Sequence, residues 1–408
     1  MLSHIQDALH IEHIDCWITY CDEHSDPYFE TFMSKGTIVA AIGIVTKDSS
    51  VIIAHSLDIA NIVCPLGTRV IEYVTRDHLW TVVESELANF KYPAAIGLNY
   101  STFGDAGLDV LRHGQFLLIT DRISAMYSKN SLPVSFVSAE RVLYASIERR
   151  SATELTKMGL AARRAHELIE DSFKQIVVGM TEKEIAQLVH NSMEVPPEYF
   201  KDNDVVSESF AWTRELCPIV LAGPNLRSGG HSMASDYVTK SGDTLYFDFG
   251  VTLTFKDGTR WSSDIQRMGY FLREDETSPP ATIQRVFDTL IGAIDRGIAA
   301  LTVGTFGHVV DTIVRKCITD AGYPEYNHAT GHAIGNSPHA PGAILGQKVG
   351  KRAELRVQPN GVYTIEPRIA IENGGSIEEM VVATDHGGVI LSPRQLHMYI
   401  VPYGPAAL

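Results

Sequence analysis

The chain opens with short apolar runs set between helical stretches. Thr37 to Val45, Val51 to Ala54 and Gln115 to Ile119 are apolar enough for buried strands, while Arg76 to Leu87 has helical character. That alternation predicts an open α/β sheet with covering helices over residues 1–146. Near Arg149 and Arg150 the character changes. From Ser151 to Gln175 leucine, isoleucine and alanine recur at helical spacing between charges, so a domain boundary is placed at the start of this helix and a second domain over 147–408. Thr181 and Glu184 then stand at capping-box spacing and predict a helix through about Ser192.

A weak echo of this passage follows 125 residues later, with Gly179, Ile185, Leu188 and Val189 answered by Gly304, Val310, Ile313 and Val314. Each copy leads to a strand-like run ending in an acid, Thr244 to Asp248 and Val362 to Glu366. An internal duplication packed about a pseudo-two-fold axis would let the two acids meet in the middle.

Composition narrows the classes. The chain has 408 residues, 45% apolar and 20% charged, which excludes a small disulfide-stapled scaffold and disorder as the main state. The longest apolar stretch falls well short of a membrane span, and the N-terminus lacks a basic region followed by a long apolar core, so a cytoplasmic protein is expected with no membrane partner. A net charge of −15 repels polyanions and argues against nucleic acid. Five cysteines without a C-x-x-C pair indicate neither a disulfide framework nor a thiolate zinc site.

Sixteen histidines and forty-nine acids offer a different chemistry, concentrated in four segments of the second domain. The first runs from Gly223-Pro224-Asn225 to His231 and, seventeen residues on, to Asp248. The second is Ser262-Ser263-Asp264-Ile265-Gln266-Arg267, after an Asp257-Gly258 turn. The third is His328-Ala329-Thr330-Gly331-His332, with His339 beyond it. The fourth is Glu366-Pro367 followed by Ser376-Ile377-Glu378-Glu379. Taken singly, Asp248 reads as a turn or capping acid and His332 as a core histidine. Glu366 and Glu378, however, sit beside apolar residues, where a carboxylate is costly unless paired or coordinated, while Glu379 is expected to face solvent.

In order and local context these segments resemble the pita-bread metallopeptidase family, which includes methionine aminopeptidase, aminopeptidase P and prolidase. The resemblance rests on residues 220–385 and covers the chain in outline, because the proline-specific branch joins a creatinase-like α/β N-terminal domain to an α+β pita-bread domain. It implies that Asp248, Asp264, His332, Glu366 and Glu378 ligate two divalent ions, with Asp264 and Glu378 bridging. It further implies catalytic and substrate-side roles for His231 and His339, and a substrate-side or loop-bracing role for His328. The chemistry is coherent: clustered carboxylates need cations to stay ionised, and two ions ~3.5–4 Å apart acidify a shared water that attacks a carbonyl. One imidazole among carboxylates makes a hard site, so Mn(II) is the first choice, with Co(II), Fe(II) or Zn(II) as alternatives. The implied activity is removal of an N-terminal residue before proline from a small peptide, as a dipeptidase or an aminopeptidase, by a homodimer. Glu366 would relay the proton.

Three positions depart from the family pattern. Asp248 and Asp264 are sixteen residues apart, wider than is usual, so a bulge is expected in the hairpin to aim both at one face. Ser376 replaces a common arginine and removes an expected partner of the ligands, and Arg368 stands where glycine is common. They keep two alternatives open: a metal-dependent amide hydrolase or lyase on a non-peptide substrate, and a non-catalytic binding protein.

Overall fold

The computed structural model describes residues 2–88, 94–104, 107–227 and 232–404. They fall into two compact units, Met1–Ile147 and Glu148–Leu408.

The first unit is built on six strands, β1 (Cys16–Cys21), β2 (Ala41–Thr46), β3 (Ser50–His55), β4 (Arg69–Tyr73), β5 (Ala94–Leu98) and β6 (Val134–Ser138), in the order β4-β3-β2-β1-β5-β6. β2 runs antiparallel to both β1 and β3, and the remaining pairs are parallel. The helix Arg76–Leu87 starts where the Thr75 side chain accepts from the His78 N–H, and it buries Leu79, Trp80, Val83 and Leu87. The expected strand at Gln115 to Ile119 is instead the opening of a long helix, His113–Lys129. Its apolar run continues at helical spacing through Ile123, Met126 and Tyr127, all buried with Ile119 in one core with Ile18, Ile44, Ile53 and Leu98.

In the second unit the helix Ala152–Phe173 has a capping box between Ser151 and Glu154, and Thr181 with Glu184 does the same for the helix Glu182–Met193. The helix Gly307–Asp320 occupies the later passage, and Gly179 and Gly304, each ahead of its helix, both take positive φ. Beyond β7 (Val205–Phe210), β8 (Ile219–Ala222) leads to β9 (Thr244–Phe249), β10 (Val251–Phe255), β11 (Arg260–Ser262) and β12 (Ile265–Phe271). The later strands are β13 (Gly331–His332), β14 (Ile344–Leu345), β15 (Val362–Ile365), β16 (Arg368–Ile369), β17 (Gly375–Ser376), β18 (Glu379–Thr384), β19 (Gly387–Ile390) and β20 (Tyr399–Val401). β20-β12-β9-β8 form one sheet, β11-β10-β7 a second and β15-β18-β19 a third. Among the described residues no helix is long and apolar enough to cross a membrane.

Candidate metal centre

The first two acids are brought to one face by strand register. β9 and β12 are antiparallel with Asp248 directly opposite Gln266, so both side chains share a face. Asp264 precedes Gln266 by two residues and by parity lies on that face as well. The additional length of the hairpin is spent beyond this point. After Gly250 the chain leaves the β9–β12 pair and makes a separate antiparallel pair, β10 with β11, closed by the turn at Gly258. At Gly250 a Cβ would stand 1.7 Å from the Ser263 carbonyl oxygen, so only glycine permits the crossover. The hairpin register carries through unbroken from Phe249 opposite Ile265 to Thr252 opposite Ser262, so no bulge in it is needed to aim the two aspartates, and the register shift in this stretch, at Thr254 and Phe255, lies in the pairing of β10 with β7.

The other half supplies the remaining groups. Gly331 lets β13 approach the Thr364 carbonyl at a distance no Cβ would fit, and the His332 N–H donates to Thr364 Oγ1 at 3.1 Å. His332 Nδ1 lies 3.3 Å from the Ala333 carbonyl, which only accepts. That leaves Nε2 toward Asp264 Oδ2 at 3.8 Å and Glu366 Oε1 at 3.6 Å. Glu366 follows β15, and its N–H is held by the Thr330 carbonyl at 2.7 Å. Glu378 is tied to β12 through its N–H, which donates to the Gln266 carbonyl at 3.1 Å.

Three overlapping sets result, each with ligand atoms within 4.8 Å of one another: Asp248, Asp264 and Glu378; His332, Glu366 and Glu378; and Asp264, His332 and His339. All five sequence-predicted ligands thus converge. His339, expected beside the substrate, stands next to His332 with ring centroids 4.4 Å apart and is solvent-exposed. His328 is absent from these three sets and lines a cavity of about 240 Å³ with Asn327, Gln347 and Arg352. Burial lowers its pKa to about 4, and its Nδ1 donates to the Ala329 carbonyl at 2.7 Å. His231 lies outside the described residues.

The electrostatics suit a cation. Burial, and after it the neighbouring acids, pushes Asp264 and Glu378 well above the ordinary carboxylate range, and Glu366 to about 8 through burial and then Asp248. Among the described residues both Glu378 oxygens are buried with no donor in good hydrogen-bond geometry, the polar groups beside them being the Thr364 hydroxyl and the Asp264 carboxyl. A neighbouring hydroxyl and a second acid do not neutralise that carboxylate, and four acids with one imidazole are a donor set for hard divalent ions, so the residues fit the group.

Three supports went unread in the sequence. Gln266 donates from Nε2 to Glu366 Oε2 at 3.0 Å and to Asp248 Oδ2 at 3.4 Å. Asp311 and Arg315 form a buried pair behind the His328 segment, where Thr330 Oγ1 donates to Asp311 at 2.7 Å and Arg315 to the His328 carbonyl at 2.9 Å. The expectation for Glu379 is corrected: the side chain is fully buried and paired with Arg267 at 3.2 Å, because consecutive residues of β18 are buried on both faces of the sheet.

Residues 156–385 match metallopeptidase family M24. The chain is 27% identical over 314 residues to the uncharacterized peptidase YqhT of Bacillus subtilis, a match covering 71% of this chain and 81% of that protein. Among solved structures it resembles the dipeptidase PepE from Mycobacterium ulcerans, with a TM-score of 0.64 at 20% identity over 98% of this chain and 97% of that one. It also resembles the X-Pro aminopeptidase from Thermotoga maritima, with a TM-score of 0.59 at 21% identity over 97% and 100%. These structural likenesses are likenesses of fold, and the fold is the two-domain pita-bread architecture.

Proposed function

The chain belongs to metallopeptidase family M24, and from that premise we propose that it removes an N-terminal residue before proline from small peptides, using two divalent ions held by Asp248, Asp264, His332, Glu366 and Glu378. The observation that carries the reading is the buried Glu378, which no well-placed hydrogen-bond donor among the described residues meets, at the junction of two ligand sets. The ions, Mn(II) by preference, would supply Lewis acidity toward the scissile carbonyl and a water acidified to near-neutral pKa. The chain's own groups do the rest. Glu366, whose Oε2 is held by Gln266, is the carboxylate that takes a proton from the attacking water and passes it to the leaving amine. His339, exposed beside His332 and with Trp212 at 6.5 Å, steadies the charge that develops on the carbonyl oxygen. We place His231 and His328 on the substrate side, and the protein as a cytoplasmic homodimer.

One observation favours a second reading, a non-peptide amide as substrate: Ser376 bonds to Gln266 at 2.5 Å, where the family commonly offers an arginine. The test is hydrolysis of Xaa-Pro dipeptides, Xaa-Pro-Xaa tripeptides and Xaa-Ala peptides with Mn(II), Co(II) or Zn(II) supplied and metal counted. Cleavage confined to proline peptides supports the proposal. Two bound ions with no cleavage of any of them would leave the amide reading.

A further inference from the structure

Gln266 reaches three of the four clustered acids. Its side chain is buried, and its Nε2 spans Glu366 Oε2 at 3.0 Å and Asp248 Oδ2 at 3.4 Å, one acid from each half of the site. Its carbonyl accepts the N–H of Glu378 at 3.1 Å and an Arg267 N–H at 2.9 Å. Its Oε1 lies 2.5 Å from Ser376 Oγ, a hydroxyl that also stands 2.9 Å from the Pro367 carbonyl.

The amide has only one workable orientation. Turned over, it would aim its oxygen at two carboxylate oxygens and lose both donors, so the acids select the arrangement, and the Ser376 hydroxyl proton then anchors the amide oxygen left on the other side. With Tyr246 donating to the same Asp248 oxygen at 2.8 Å, Oδ2 of Asp248 and Oε2 of Glu366 are taken by protein donors. Gln266 also performs this without charge. An ammonium or guanidinium at that point would cancel part of the negative field that attracts divalent cations, whereas a carboxamide orients the carboxylates and leaves the field intact.

We propose that Gln266, held by Ser376, is the positioning residue of the metal centre: it locks Asp248 and Glu366 across the two halves and sets the oxygen each offers to the ions. The proposal rests on the metal-binding reading above. Gln266→Met keeps the volume and removes both donors. Ser376→Ala keeps the amide and removes the hydroxyl that anchors it.

The experiment is stepwise Mn(II) binding to metal-stripped full-length protein by competition with a chelating dye, with ion count by elemental analysis and the electron paramagnetic resonance spectrum of the loaded pair. Gln266→Met is expected to weaken one of the two sites about 10–100-fold, the usual scale for losing a group that holds a metal ligand, and to change the spin-coupled spectrum. Ser376→Ala is expected to weaken the same site at the lower end of that range, near tenfold. A change confined to melting temperature, with both affinities within about threefold of wild type and an unaltered spectrum, would overturn the positioning role. Should Gln266→Met fail to fold, Ser376→Ala decides the question on the same criteria. Wild-type protein that takes up no Mn(II), Co(II) or Zn(II) would instead overturn the metal-binding reading, and this proposal with it.

Discussion

Replacing Glu379 by Gln tests how the ligand-bearing strands are held. Arg267 and Glu379 are each fully buried and paired at 3.2 Å. Arg267 also donates to the carbonyls of Gln266 at 2.9 Å, Glu378 at 2.7 Å and Pro393 at 2.5 Å, while its Nε meets no acceptor among the described residues. Glu379 in turn accepts from Ser392 Oγ at 2.6 Å and from the Gln395 N–H at 3.1 Å. The Glu379→Gln change would preserve size and an acceptor oxygen but leave the guanidinium charge buried without its counter-charge. Breaking one side of a buried pair costs about 3–5 kcal/mol, and the retained acceptor places this variant near 3. At roughly 2–4 °C per kcal/mol for a domain of this size, the metal-stripped protein should melt about 6–12 °C lower. Thermal unfolding of the full chain in chelator, followed by circular dichroism, reads the shift. The double variant Arg267→Met with Glu379→Leu should recover part of it, since the unpaired buried charge is gone while the Glu378 and Pro393 carbonyls, Ser392 and the Gln395 N–H lose their partners. A Glu379→Gln melt within about 1 °C of wild type, with no gain in the double variant, would refute the reasoning.

Further outcomes follow from the site itself. Glu366→Gln should still bind metal but turn over at least ~100-fold more slowly, the scale of lost acid–base assistance; turnover near wild type in steady-state assays would remove Glu366 as the proton carrier. His332→Ala should weaken one ion while the carboxylates retain the other, read by elemental analysis; two ions with unchanged affinity would take His332 out of the site. In the metal-free protein Glu366 titrates near pH 8 rather than 4.5, so between those values the folded chain holds a proton the unfolded chain has lost. Metal-free stability should therefore fall as pH rises from about 4.5 to about 8, and Mn(II) binding at pH 7 should release protons, detectable by calorimetry in buffers of different ionisation enthalpy. Mn(II) binding at pH 7 with no proton release would contradict the assigned protonation.

How far the site was legible depended on what each residue's chemistry leaves in the sequence. Glu366 and Glu378 stand out because carboxylates beside apolar residues demand an explanation, whereas Asp248, Asp264 and His332 each have an ordinary reading and were picked out only by the order of the motifs and the family resemblance that it carries. Glu379 carried the same signal and was misjudged by assuming that one face of its strand meets water. Both faces of β18 are covered, so alternation there separates two interiors rather than core from solvent. The run at Gln115 to Ile119 was ambiguous for a different reason, since five apolar-rich residues fit either period, and only Ile123, Met126 and Tyr127 further along decide for a helix.

Gln266 shows where reading residue by residue stops. A neutral amide in an apolar strand has no titration and no motif of its own. Its signal lay in position: two residues after Asp264, and in an antiparallel partner opposite Asp248, it had to share their face. The wide spacing of the aspartates hid that register, because the excess residues looked like a distortion between the two acids. In the structure they form a second hairpin, β10 with β11, split off at Gly250, so the pairing next to the acids stays regular. The same regularity explains how the centre accommodates Ser376. A hydroxyl too short to reach the acids acts on them through the one side chain that register places between them, and the acids keep a donor without gaining a positive charge.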